Sequence, residues 1–363
     1  MGVTSGWAVH EARRQIVGHA SDGLGWRDFA AALLEIYTAL IPVDAIVISS
    51  IDPHSGLMTN LTRTGIDDAH DDLFIHIELT QPDPITLTTL ARTHDGVGIL
   101  ADHLTGDPRR NARVRDLLPH YDLAHEMRGV VRVRGQMWAT VALYRGQGRR
   151  GFTADEAATL AALEEAVSFG VHSTLLCPPD NPGSLTTAGP AVLLVDESGR
   201  IVQATAAGTA RLTDLGWDGR GHLPTPIYWP MTAARQAAAG HAVPTFAHTR
   251  LPSGAWVVVR AAALPTPDGG PRIVVSIEPA SGEVVPDAAG HPATGRVLIL
   301  TDRQHDVLAL VARGHTNARI AFELGIAEGT VRKHMETILQ TLGAGNRAEA
   351  AALWTSTART RRG

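Results

Sequence analysis

Three zones of different hydrophobic periodicity follow one another along the chain. In the first, Phe29, Leu33, Ile36 and Leu40 recur at helical spacing after Trp26, and Pro42 closes the segment. Residues 45–48 form a continuous apolar run of strand type. The turn residues Asp52-Pro53-His54-Ser55-Gly56 separate it from a second strand starting at Leu57, which predicts a hairpin. Residues 67–79 and 111–118 read as helices, and residues 129–134 with 137–144 as a second hairpin around Gly135. Thr153, with Glu156 three residues on, is a capping box that opens a long helix reaching about Leu176. Residues 177–189 have the Pro, Gly and Ser content of a linker.

The second zone alternates shorter elements. Residues 191–195 and 200–202 read as two strands about the turn Asp196-Glu197-Ser198-Gly199. Helices are expected over residues 205–215 and 231–239, and three further strands over 245–251, 256–264 and 272–277. A second linker, rich in Gly, Pro and Ala, spans residues 281–296.

The third zone, from Leu300 to Leu353, predicts four short helices. Thr301 can cap the first, with Gln304 completing a capping box, and Val307, Leu308 and Val311 supply its apolar face. Gly314 ends it. Thr316 can cap the second, which buries Ile320, Ala321 and Leu324, and Gly325 then makes a tight turn. The third helix runs from about Glu328 to Leu342 and stops at Gly343; Asn346 with Glu349 opens the fourth. In the third helix Val331, Met335, Ile338 and Leu342 fall on one stripe, and Gly329, Arg332, Lys333, Glu336 and Gln340 on another. Arg and Lys pair with guanine, Gln with adenine, and a carboxylate accepts from cytosine, so this outer row suits base edges in a major groove; taken alone, the same row also fits the solvated face of an ordinary helical hairpin.

The whole stretch resembles the C-terminal four-helix DNA-binding domain of the LuxR family of bacterial transcription regulators. The resemblance rests on Leu300-Thr301-x-Arg303, Val307-Leu308, Gly314-x-Thr316-Asn317, Ile320-Ala321, Leu324-Gly325-Ile326, Glu328-Gly329-Thr330-Val331, His334, Ile338-Leu339, Leu342 and Asn346-Arg347, ungapped over roughly one seventh of the chain. Gln304 departs from the family's usual Glu, and Ala327 from its usual Ser or Thr cap, a loss of about 1 kcal/mol. On this resemblance Arg332, Lys333 and Glu336 are expected to contact bases, and Thr316, Asn317, Arg319, Thr330 and His334 to contact phosphates. Asn346, Leu353 and Trp354 of the fourth helix are expected to support a homodimer on inverted half-sites of double-stranded DNA, with RNA polymerase as a further partner.

Residues 20–176 resemble a GAF-type sensor domain, most closely at Arg145-Gly146-x-Gly148 and Gly151-Phe152-Thr153-x-x-Glu156. The autoinducer-binding domain of quorum-sensing LuxR proteins has a similar layout, but its tryptophan-tyrosine-aspartate cluster is not found. Residues 190–280 resemble a PAS-type domain, opening on Val195-Asp196-Glu197-Ser198-Gly199-Arg200-Ile201-Val202, with Ala204 and Thr205 where an Asn is usual. The fold expected is thus a multidomain α+β chain: a GAF-like and a PAS-like sensor domain, then an all-α LuxR-type helix-turn-helix domain over residues 297–355.

Composition narrows the functions. The net charge is −5, yet from Leu300 onward nine strong bases face six acids, giving +3 there and −8 elsewhere. That balance suits DNA contact by one module and modest affinity for a single copy. Lys333 is the sole lysine, which removes a P-loop. Receiver-type strands and the usual zinc signatures are absent from the sequence. His70, Asp72 and His76 offer two ligands on a helical face without a third, and His222, His241 and His248 read as loop or edge histidines rather than haem ligands. Neither a cofactor, a metal nor an enzymatic activity is expected. Met127, Trp138, Tyr144, Trp229 and Trp256 read as core fillers that can also line a cavity for a small-molecule ligand. Cys177 is the only cysteine, and no membrane span or leader is visible, so a cytoplasmic protein is expected. The rival reading is a small-molecule sensor or partner-binding protein with a degenerate DNA-binding domain, favoured by the weak basicity, Ala327 and Glu336.

Overall fold

The computed structural model describes residues 6–133, 135–176, 189–266, 269–280, 300, 302–342, 344, 346–348, 350–351 and 354. Cys177, the expected linker at 281–296 and most of that at 177–189 lie outside them. Among the described residues no helix is long and apolar enough to cross a membrane.

The N-terminal unit comprises α1 (Gly6–Ser21), α2 (Trp26–Leu40), β1 (Ala45–Ile51), β2 (Met58–Thr64), α3 (Asp71–Thr80), α4 (Leu87–Leu90), β3 (Val97–Ile99), α5 (Leu100–His103), β4 (Leu123–Val133), β5 (Gln136–Gly146) and α6 (Ala154–Val171). Its strands form one antiparallel sheet in the order β2-β1-β5-β4-β3. Alternate residues of a strand point to opposite faces. Ile46 and Ile48 therefore pack with Phe29, Leu33, Leu163 and Val167 of α2 and α6, while Ala45 and Ile51 pack with Ile75 and Leu118 on the other side. Covering both faces explains why β4 and β5 are buried along most of their length, including the charged side chains of Glu126 and Arg128 on β4.

The capping box of α6 forms as expected: Glu156 N–H donates to Thr153 Oγ1 at 3.3 Å and Thr153 N–H to Glu156 Oε2 at 2.9 Å. Arg145 locks the same corner, donating to Glu156 Oε1 at 2.7 Å with its guanidinium 4.2 Å from the Phe152 ring centroid. The glycine Gly170 near the end of α6 is a packing requirement. A Cβ there would lie 1.9 Å from Phe29 Cζ, and Phe29 is wholly buried. Gly170→Ala is expected to destabilise the protein by about 1–3 kcal/mol, despite the better helix propensity of Ala, and to lower the urea midpoint without changing the slope.

The second unit comprises β6 (Ala191–Val195), β7 (Ile201–Ala204), α7 (Ala206–Asp214), α8 (Thr225–Ala238), β8 (Phe246–Arg250), β9 (Trp256–Thr266) and β10 (Gly269–Pro279). Its sheet order, β7-β6-β10-β9-β8, repeats the connectivity of the first sheet strand for strand. The two units share a continuous apolar core, in which Phe74 of α3 meets Trp229 of α8 edge-on at 5.8 Å.

Several elements differ from expectation. Helix α1 was not foreseen; Ala12, Ile16 and Val17 pack into the core that contains α2 and α6. The helix expected over residues 111–118 is helical but irregular: a π-helical turn over Arg113–Leu117 passes into a 3-10 turn over Leu118–Tyr121 that has Pro119 in its first turn, and Asp122 ends it in the left-handed region. The helix expected over 231–239 begins earlier, at Thr225, and contains Pro230. The short edge strand β3 was also not foreseen.

Candidate nucleic-acid interface

The C-terminal unit contains α9 (Asp302–Ala312), α10 (Asn317–Leu324) and α11 (Glu328–Leu342), with further helical residues at 347, 348, 350, 351 and 354. Thr301, Gly343, Glu349 and Leu353, and the side chain of Gln340, lie outside the described residues. One apolar cluster joins the helices. Val307, Leu308, Ile320, Val331 and Ile338 are each fully buried, with Met335 and Leu342 beside them.

The turn that sets α11 is built locally. Thr316 Oγ1 accepts the Arg319 N–H at 3.3 Å and caps α10. Gly325 then takes φ 62°, ψ 36°, a left-handed conformation that glycine adopts without a Cβ penalty. At the start of α11 the Ala327 carbonyl accepts from Thr330 N and Val331 N. Two arginines fasten the frame. Arg303 donates to the Leu324 carbonyl, and Arg347 donates to the His315 carbonyl and to Asn317 Oδ1. Burial lowers the Arg347 pKa from its ordinary value. Neither role is visible in the sequence, since the partners lie on α10 and in the turn before it.

The outer row of α11 is where the pattern placed it. Gly329, Arg332, Lys333 and Glu336 are exposed, opposite the buried stripe of Val331, Met335, Ile338 and Leu342. From Arg332 to Glu336 the helix rises about 6 Å, nearly two base-pair steps. Two cations and one carboxylate are therefore displayed close together on one exposed face. Among the residues expected at phosphates, Thr316, Arg319 and Thr330 are exposed, and Asn317 and His334 are half-buried. Arg347 occupies the Asn317 carbonyl oxygen, which leaves its amide N–H groups as donors. Arg319 is held by Glu323 at 2.7 Å, so part of its charge is offset. Asn346 is exposed, whereas Trp354 is half-buried edge-on to His305 at 5.3 Å. Phe322, which no sequence pattern singles out, stands 79% exposed on α10.

The aromatic and histidine candidates of the first two units fall elsewhere. Met127 and Trp138 are core residues, and Trp138 meets Trp256 edge-on at 6.3 Å. Tyr144 and Trp229 line a cavity of about 50 Å³ between the first sheet and α3, together with Leu61, Phe74, Arg128 and the Arg63–Asp71 pair. His70, Asp72 and His76 do not converge. His70 stacks on His120 at 3.9 Å, Asp72 accepts from Thr232, and His76 lies 3.0 Å from Gln236 Oε1.

Residues 298–354 match the family model described as bacterial regulatory proteins, luxR family. The transcriptional regulatory protein DesR of Bacillus subtilis is 51% identical over 51 residues, 14% of this chain and 26% of that protein. The HTH-type transcriptional activator RamA of Corynebacterium glutamicum is 47% identical over 51 residues, 14% of this chain and 18% of RamA. The spore germination protein GerE of Bacillus subtilis is 40% identical over 52 residues, 14% of this chain and 70% of GerE. Apart from GerE, the chain spans about a quarter or less of the length of these relatives. With most of GerE matched at that identity, and the buried and exposed stripes of α11 where the motif requires them, the chain belongs to the luxR family of bacterial regulatory proteins.

Proposed function

We propose that the protein is a sequence-specific DNA-binding transcription regulator acting as a dimer under the control of its two N-terminal units. The observation that carries this reading is the outward row Arg332, Lys333 and Glu336, held on a helix whose opposite stripe is buried. Those three side chains read base edges. Thr316, Asn317, Arg319, Thr330 and His334 fix the register on phosphates. Residues 346–354 carry the dimer contact, which sets two copies of α11 on inverted half-sites about one helical turn apart.

The N-terminal unit is the GAF-like sensor and the second unit the PAS-like one. Support comes from the helix, hairpin, helices, hairpin, long-helix order of the first, and the two strands, helices and three strands of the second. The cavity beside Tyr144, at about 50 Å³, has room only for a ligand of a few non-hydrogen atoms, with a polar group facing Arg128 or the Arg63–Asp71 pair. Trp229 comes from the second unit, so a ligand there alters the contact between the units.

The test is selection of duplexes by the purified full chain from a random pool, followed by affinity measurements against salt. A defined inverted-repeat site is expected, with log Kobs falling linearly against log salt at about 0.9 per phosphate neutralised. Absence of sequence enrichment, or a flat salt response, overturns the reading in favour of a sensor with a silent helical domain.

A further inference from the structure

We propose that Asp52, His54 and His248 form a binding site for one divalent transition-metal ion of the zinc class, at the seam between the first two units. Asp52 follows β1 and opens the tight turn to β2, and its carboxylate is fully buried. His54 lies in that turn, and His248 comes from β8 of the second unit. The Nδ1 of His54 is 3.2 Å from Asp52 Oδ1, and the Nδ1 of His248 is 3.2 Å from Asp52 Oδ2. One ligand atom from each of the three residues lies within 4.8 Å of the others.

Each imidazole nitrogen stands 3.2 Å from one of the two carboxylate oxygens, and the three ligand atoms lie within 4.8 Å, close enough to gather round one ion with small side-chain rotations. Zinc bonds to imidazole nitrogen and carboxylate oxygen of about 2.0–2.2 Å give tetrahedral edges of roughly 3.3–3.6 Å. Two imidazoles with one carboxylate suit zinc, cobalt, nickel or ferrous ions, whereas calcium and magnesium seek oxygen ligands. The carboxylate is fixed in orientation by hydrogen bonds, as ligating carboxylates are. It accepts the His54 N–H at 3.1 Å, the Ser55 hydroxyl at 2.8 Å and the His248 N–H at 3.0 Å. The ring of His54 is 42% exposed, which gives an ion an entry path and a water a fourth position.

Hydrogen bonding alone accommodates this cluster poorly. A carboxylate has about four lone-pair positions. Three are taken by the two backbone N–H groups and the serine hydroxyl, leaving one for two imidazoles. An ion bound by both Nδ1 lone pairs and by one carboxylate lone pair satisfies every group. The sequence hid this set because Asp52 and His248 are 196 residues apart and follow no metal-binding spacing.

The test uses the full chain, freed of metal by a chelator and titrated with Zn²⁺ alone. One tight Zn²⁺ per chain is expected, with a rise in Tm. His54→Ala and His248→Ala are each expected to weaken that binding by at least about tenfold and to abolish the Tm rise. His54 lies in a half-exposed turn, so its variant keeps the fold, which circular dichroism verifies. His222→Ala removes another histidine of the seam, paired with Asp68 at 2.7 Å, and is expected to leave Zn²⁺ binding unchanged. No stoichiometric Zn²⁺ in the wild-type chain, or equal binding in both ligand variants, overturns the proposal. The site lies outside the DNA-binding domain, so its outcome is independent of the duplex selection.

Discussion

Arg128→Met is expected to cost about 3–5 kcal/mol of folding stability, a large part of what a domain possesses. Arg128 sits in a buried network drawn from separate elements. Its Nε is 2.5 Å from Glu126 Oε1 and its Nη1 2.7 Å from Glu78 Oε2. Arg113 joins Glu78 at 2.9 Å and Asp83 at 3.1 Å. Three carboxylates thus face two guanidinium groups out of water, and removing Arg128 leaves Glu78 and Glu126 undercompensated. Burial pushes the Glu78 pKa up, but the attraction of Arg128 and Arg113 outweighs it and holds the value at about 2, below the ordinary 4.5. In the wild-type protein this stabilisation is fully present above pH 4.5 and is lost as the pH falls towards 2. The variant has less of it to lose, so the gap between the two proteins should narrow across that interval. Urea unfolding at several pH values measures this. Arg149→Met removes an exposed pair with Asp44, which solvent screens, and is expected to leave stability nearly unchanged. Equal effects of the two substitutions would show that the buried network contributes nothing special.

Such a network was not legible in the sequence. Each of its five residues looks like ordinary surface charge until α3, β4 and the turns after α5 bring them together. What could be read was local. Helix α2 announced itself by apolar spacing, α6 by Thr153 and Glu156, and the C-terminal helices by glycines at their ends and by an ungapped motif. Helix α1 escaped because Arg13, which donates to the Ala162 carbonyl of α6, interrupts an apolar face with two alanines among its buried residues. Pro226 and Pro230 concealed the first half of α8, where burial of Tyr228 and Trp229 prevails over the lost backbone hydrogen bond. The pairing of the first two units lay furthest from view. It depends on contacts such as Phe74 with Trp229, and Asp52 with His248, which no local pattern encodes. The exposed row of α11 was legible for the opposite reason, since a single helix displays it and its spacing fixes which side chains share a face.

Arg332→Ala and Lys333→Ala are each expected to reduce affinity for the selected duplex by about 1–3 kcal/mol, roughly 5- to 150-fold, because each removes one base-edge contact. Both side chains are exposed on a helix that Ala favours, so folding is expected to survive. The decisive readout is specificity. Loss of a base contact relaxes the preference at one position of each half-site, and two-fold symmetry places the second relaxed position in the other half. Arg319→Ala provides the contrast. It is expected to weaken all duplexes alike and to reduce the salt slope by about one per copy, as removal of a phosphate contact does. Met335→Ala lies on the buried stripe and is expected to lose about 2–5 kcal/mol of folding stability instead. Measuring binding to every single-base variant of the site separates these outcomes. If Arg332→Ala and Lys333→Ala weaken binding while the preference at every position stays as in the wild type, the exposed face of α11 serves charge alone, and the base-reading role assigned to it is wrong.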